Sequence, residues 1–137
     1  MPDTPVPPHV LDLLRKPNPA VMGTIGADGG PVTVATWYLL EDDGTILLGL
    51  DAKRARLEHL RRDPRVSLTA LADSDWYTHV SVRGRVVSIA DDEGLKDIDR
   101  LSTHYTGKPY GNRERPRVSA HVAIEHWHGW SGGSTIG

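Results

Sequence analysis

Cysteine and phenylalanine are both missing from these 137 residues. Without cysteine the chain has no disulfide, no thiol nucleophile, no iron–sulfur ligation and no cysteine-held zinc. No apolar run approaches the roughly 20 residues that span a bilayer. The opening Met1-Pro2-Asp3-Thr4-Pro5 also lacks the basic region and apolar core of a secretory signal. A cytoplasmic protein with no membrane association is therefore expected. HExxH is absent, and Ser81, Ser102 and Ser119 stand outside any GxSxG context, so neither a zinc-protease nor a serine-hydrolase site is indicated. Gly132-Gly133-Ser134 is followed by no helix and is not a phosphate loop. Net charge is only −2, from 16 basic and 18 acidic side chains, which counts against nucleic-acid binding by the molecule as a whole.

What remains is a chain 38% hydrophobic and 25% charged, enough to build one self-supporting domain over residues 1–137. Residues 1–8 and 130–137 are expected to be flexible. Periodicity and turn residues predict six strands: Ala20–Ile25, Val32–Leu40, Thr45–Leu50, Arg65–Ala72, Trp76–Ile89 and Val118–Trp127. Turns at Ala27-Asp28-Gly29-Gly30 and Glu41-Asp42-Asp43-Gly44 make hairpins of the first three. Short helices are expected at Val10–Leu14, at Asp51–Arg62 and from Asp91-Asp92-Glu93 to Tyr105. Strands joined mostly by hairpins suit a mainly β, six-stranded antiparallel barrel with short helices better than a parallel sheet.

The most informative segment is Gly49-Leu50-Asp51-Ala52-Lys53-Arg54-Ala55-Arg56-Leu57. With Asp51 as N-cap, the first helical turn would hold Lys53, Arg54 and Arg56. Cations there oppose the helix dipole at about 0.3–1 kcal/mol each. A bound anion would reverse that sign, because free backbone N–H groups and side chains would meet it together. The pattern suggests a phosphate site; a solvated basic helix balanced by Glu58 and Asp63 is the plainer reading. His126 and His128 alternate on a strand and share a face, but no third metal ligand is evident, and no metal site is expected.

In its ordered motifs the chain resembles the split-barrel flavin-binding family related to pyridoxamine 5′-phosphate oxidase, and within it the F420-dependent oxidoreductases of actinobacteria. Those motifs are Gly23-Thr24-Ile25 with Asp28-Gly29-Gly30-Pro31, Leu60-Arg61-Arg62-Asp63-Pro64-Arg65-Val66-Ser67-Leu68, Val82-Arg83-Gly84-Arg85-Val86, and Val122-Ala123-Ile124-Glu125-His126-Trp127-His128-Gly129-Trp130. The resemblance covers roughly residues 10–130 and implies an FMN-binding-like barrel.

By position, the resemblance implies that Arg56 meets the cofactor phosphate, with Arg54 and then Lys53 beside it. Val34, Ala35, Thr36 and Trp37 would contact the ring through the backbone, joined by Gly49 and Leu50, and His59 would add a polar contact. The resemblance also implies a homodimer with the cofactor in its interface, so that Trp76, Tyr77 and Trp127 would come from the partner subunit or pack as core. One of Trp37 and Tyr38 must face outward or toward a cleft. Arg15, Lys16 and the 108–117 loop offer cations for an anionic cofactor tail.

The implied chemistry is hydride transfer from reduced coenzyme F420 to a conjugated small-molecule substrate. This requires no catalytic triad, and no catalytic residue is singled out. Water, Tyr77 and Tyr105 are candidate proton sources. An FMN-dependent oxidoreductase and a non-enzymatic flavin- or deazaflavin-binding protein are the alternatives.

Overall fold

The structure, a computed structural model, describes residues 4–131 and 134–136. Eight strands and three helices follow one another: α1 (Pro8–Leu14), β1 (Ala20–Ile25), β2 (Pro31–Thr36), β3 (Leu39–Leu40), β4 (Ile46–Asp51), α2 (Ala55–Arg62), β5 (Arg65–Ala72), β6 (Asp75–Asp91), α3 (Lys96–Thr106), β7 (Arg117–Ser131) and β8 (Ser134–Ile136). All pairings are antiparallel, in the order β2-β1-β5-β6-β7-β4-β3, with β8 alongside β7.

The two edge strands of that order, β2 and β3, are consecutive in the chain and separated only by Trp37 and Tyr38. Three peptide steps span at most about 11 Å. The sheet must therefore curl until its edges meet, which makes it a barrel split along the β2/β3 seam. At the seam Tyr38 turns inward and is fully buried, while Trp37 faces a cleft. The inner-facing residues of β4, namely Ile46, Leu48 and Leu50, join Val80, Val82, Val118, Ala120 and Val122 in the barrel core. Leu57 and Leu60 of α2 and Val10 and Leu14 of α1 enter the same core. On the outer face of β4, Leu47 packs against Ile98 and Leu101 of α3 in a second, smaller cluster.

Several expectations are corrected. Among the described residues there are eight strands rather than six, because the 32–40 run breaks at the Trp37-Tyr38 seam into two strands and residues 134–136 pair back on β7. Pro8 opens α1, and its fixed φ suits a first helical turn. The Thr4 N–H also donates to the Glu125 carbonyl at 3.4 Å. β7 continues through Ser131, and 134–136 form β8; residues 1–3, 132–133 and 137 lie outside the described residues. Asp51 does not cap a helix. It ends β4, its carboxylate accepts from the Lys53 N–H (3.0 Å) and the Arg115 guanidinium (2.9 Å), and α2 starts at Ala55 with Arg54 in its cap position. The third helix is capped much as expected, with Asp92 accepting from the N–H groups of Asp97 and Ile98. No helix among the described residues is long and apolar enough to cross a membrane.

Candidate functional site

A cleft of about 600 Å³ opens at the seam, between the end of β2, the outer face of β4 and helix α3. That volume is within the usual range for a small-molecule site. Strand pairing dictates what faces it. Leu50 pairs with Val118 and points into the barrel, so Gly49 and the pair Asp51/Arg117 point out. Gly49 forms part of the wall because it has no side chain: a Cβ there would lie 2.9 Å from Leu101 Cδ1 and 3.4 Å from Ile98 Cδ1. A larger residue would displace the Leu101 side chain and fill that part of the cleft.

One wall of the cleft is aromatic. Trp37 stacks on Tyr105 of α3 and meets Tyr110 edge-on, with ring centres 6.3 Å apart. The Tyr105 hydroxyl donates to the Asn18 carbonyl at 2.7 Å, and burial pushes its phenol up to about 12. Tyr38, behind the wall, donates to the Leu14 carbonyl at 2.8 Å and accepts from Asn18 at 2.9 Å; burial raises its phenol further still.

The other distinctive element is cationic. Arg56, half-buried on the first turn of α2, reaches into the cleft and donates to Thr36 Oγ1 (3.3 Å) and Met22 Sδ (3.2 Å). Arg117 enters from the start of β7, with its guanidinium carbon 5.0 Å from the centre of the Tyr110 ring. Its Nε is buried without a hydrogen-bond partner. Burial, and then the like charges of Arg54 and Arg117, hold the Arg56 guanidinium below its ordinary range. Among the described residues no carboxylate lies within ion-pair distance of Arg54, Arg56 or Arg117, although most other arginines are so paired. Unpaired, partly desolvated cations beside a flat aromatic wall suit a ligand with a planar ring and an anionic group.

Residues 6–131 match the family model described as pyridoxamine 5′-phosphate oxidase. The chain belongs to this family. Its fold is shared by a protein named F420 reductase, with a TM-score of 0.80 and 23% identity over 89% of this chain and 98% of that one. It is also similar to a conserved hypothetical protein of Mycobacterium tuberculosis, with a TM-score of 0.70 and 25% identity over 98% and 94% of the two chains. A Clostridium acetobutylicum protein of the pyridoxinephosphate oxidase family gives a TM-score of 0.66 and 18% identity over 93% and 89%. No curated protein matches the sequence significantly.

Within this oxidase-family barrel the structure brings Ala35, Thr36, Trp37, Gly49 and Arg56 together in one cleft. Val34 packs against the core, and Leu50 and Trp127 are buried in it, which leaves only the backbone of Leu50 for a ligand. Trp127 is core because β7 alternation carries it to the inner face beside Val82. His59 Nδ1 lies 2.9 Å from the buried Thr24 hydroxyl, so its polar contact is internal. Lys53 and Arg54 line a separate depression with Glu114 and Arg115. Trp76 and Tyr77 are 63% and 61% exposed and stacked on each other, outside the cleft. Of the cations proposed for a cofactor tail, Arg15 pairs with Asp12, Arg113 with Asp99 and Arg115 with Asp51. His126 and His128 share a face of β7, and no cluster of three metal-ligating side chains exists among the described residues.

The sequence reading missed Tyr110, Ile98, Leu101 and the role of Arg117 as a wall residue. For Arg117 a signal was available: once Val118 is assigned to the core, its neighbour must face outward, on the side of Gly49.

Proposed function

We propose that the chain is a homodimeric oxidoreductase that uses coenzyme F420 to reduce a conjugated organic substrate. The observation that carries this reading is the pair of unpaired guanidiniums, Arg56 and Arg117, set beside the Trp37/Tyr105/Tyr110 wall in one cleft. These residues fit a ring-plus-phosphate cofactor: Arg117 Nε lacks a partner, and Gly49 leaves room that a Cβ would fill. The likeness to the protein named F420 reductase supports the deazaflavin over FMN. The family match keeps FMN as the second reading.

When bound, such a cofactor supplies the hydride. The protein's part is placement. Arg56 anchors the phosphate, the Trp37 backbone and ring position the tricycle, and Ile98, Leu101 and Leu71 keep water from the apolar part of the cleft. The Tyr105 phenol stays protonated and bound to Asn18, so it acts as a wall and water is the better proton source. Trp76 and Tyr77, exposed on one protomer, suit a contact with the second copy beside its cleft.

Side-by-side fluorescence titrations with coenzyme F420 and FMN test the reading. Tighter F420 binding, followed by oxidation of the reduced cofactor when enones, quinones or tetrapyrroles are added, is the expected outcome. Stoichiometric FMN with no F420 affinity replaces it with the flavin reading. Binding of reduced F420 without accelerated oxidation by any acceptor makes the protein a binding module.

A further inference from the structure

Three basic residues, Lys53, Arg54 and Arg56, stand near the start of α2, yet they do not face the same space. Lys53 and Arg54 open onto a depression of about 410 Å³ that already contains the carboxylates of Asp51 and Glu114, and there Arg115 is paired with Asp51. Arg56 faces the other way, into the cleft with the aromatic wall, where no carboxylate balances it. The second cation in that cleft comes from 61 residues further along the chain. Arg117 is the strand partner of Asp51 across the β4/β7 ladder, sits over the Tyr110 ring, and has its Nη2 3.9 Å from the position of a Cβ on Gly49.

Two guanidiniums from different elements converge here with no carboxylate among the described residues at ion-pair distance from either, so they repel each other in a half-enclosed space. A dianion between them reverses the sign of that interaction. Each planar fork can also give two parallel hydrogen bonds to phosphate oxygens.

Resting on the proposed cofactor reading, we propose that Arg56 and Arg117 form a two-arginine clamp on the cofactor phosphate. Tyr110 is the positioning residue that holds Arg117 in place, and Arg54 and Lys53 lie outside the clamp. The phosphate ligands in this chain then differ from the Arg54–Arg56 pair that adjacent sequence positions suggest. Tyr110 acts through its ring, because the stacking face and not the hydroxyl meets the guanidinium.

The test compares ligands that differ in the phosphate: FMN against riboflavin, and coenzyme F420 against its phosphate-free deazaflavin chromophore. Ring fluorescence is read for the wild type, Arg117→Gln, Arg117→Lys and Arg54→Gln, and thermal midpoints report folding. Arg117→Gln should weaken the phosphate-bearing ligands roughly tenfold to a hundredfold and the phosphate-free ones by less than about twofold. Arg117→Lys, which keeps the charge and loses the fork, should fall between. Arg54→Gln should leave the phosphate preference within about threefold of wild type. Tyr110→Leu should lose part of that preference and Tyr110→Phe should retain it.

An unchanged preference in both Arg117 variants, or an equal loss in Arg54→Gln, overturns the clamp even if cofactor binding itself holds. If the wild type binds none of the ring compounds, inorganic phosphate separates the two ideas. A phosphate-dependent rise in wild-type Tm that is absent in Arg117→Gln retains the clamp while the cofactor reading falls. No such rise in the wild type overturns both.

Discussion

The indole of Trp37 lies 5.4 Å from the ring of Tyr105 with only 11° between their planes, so the barrel seam and helix α3 are joined by a stacked pair. The Tyr105 hydroxyl is fixed to the Asn18 carbonyl, and Tyr38 next to the indole is fully buried. Both partners are therefore held from behind. The wall of the cleft is built before any ligand arrives, and little ordering is left for binding to supply.

Trp37→Leu should weaken cofactor binding roughly threefold to tenfold, the scale of one aromatic contact. Trp37→Phe should recover most of it. Titration by ring fluorescence measures both, and equal affinity in the leucine variant and the wild type would remove the indole from the binding surface.

Arg56→Ala should cost roughly tenfold to a hundredfold in affinity, the range of a charge-assisted hydrogen bond. The apo protein should keep its stability to within about 0.5 kcal/mol, since the change also removes a cation from beside Arg54, Arg117 and the positive end of α2. Arg61→Ala, at an exposed position on the far half of α2, controls for loss of nearby charge. Equal losses of affinity in the two variants, or an unfolded Arg56→Ala, would make the basic segment a solvated or structural feature.

Alkali should unfold the protein earlier than carboxylate or lysine titration would suggest. The Tyr105 phenol ionises at about 12 in the fold and near 10 when unfolded, with Tyr38 displaced in the same direction. Between those values the unfolded chain binds fewer protons, so stability falls as pH rises from about 10 toward 12. Urea midpoints across that window should drop more steeply for wild type than for Tyr105→Phe. Parallel slopes would show that the buried phenol is not responsible.

Trp76→Ser combined with Tyr77→Ser should shift the protein toward monomer in light scattering while leaving its circular dichroism unchanged. The pair is exposed and stacked on itself, an arrangement with more apolar surface than an isolated barrel would leave in water. A mass of about 15 kDa for the wild type with cofactor present would remove the dimer from the proposal.

Alternation made most of the barrel legible in the sequence. Val80, Val82 and Gly84 share the inner face of β6 as their spacing required, and the β1–β2 hairpin follows from Asp28-Gly29-Gly30, where Gly29 takes a φ of +82°. Trp37 and Tyr38 divide between cleft and core as two neighbours on an extended chain must. What could not be read was set by partners distant in the sequence. Asp51 has every local feature of a helix cap, but Arg117 and Arg115, more than sixty residues away, hold it in the sheet. Arg54 and Arg56 are nearly adjacent in sequence, and only the path of α2 across β1 shows that they serve different depressions. The α3 side of the cleft was equally hidden, because Ile98 and Leu101 look like ordinary core residues until Gly49 makes room beneath them.

The two-residue link between β2 and β3 leaves the protein little freedom to evolve its ligand contacts apart from its architecture. A single residue inserted before Trp37 would reverse the facing of the dipeptide, sending a hydroxylated ring out to the ligand and an indole to the place where Leu14 and Asn18 expect a phenol. A deletion there would have the same parity and would also shorten the two-residue tie across the seam. Drift in ligand preference should therefore proceed by substitution at position 37 and in α3. Length changes should collect in the 111–116 stretch beyond Tyr110, where the residues are exposed and no strand register depends on the count.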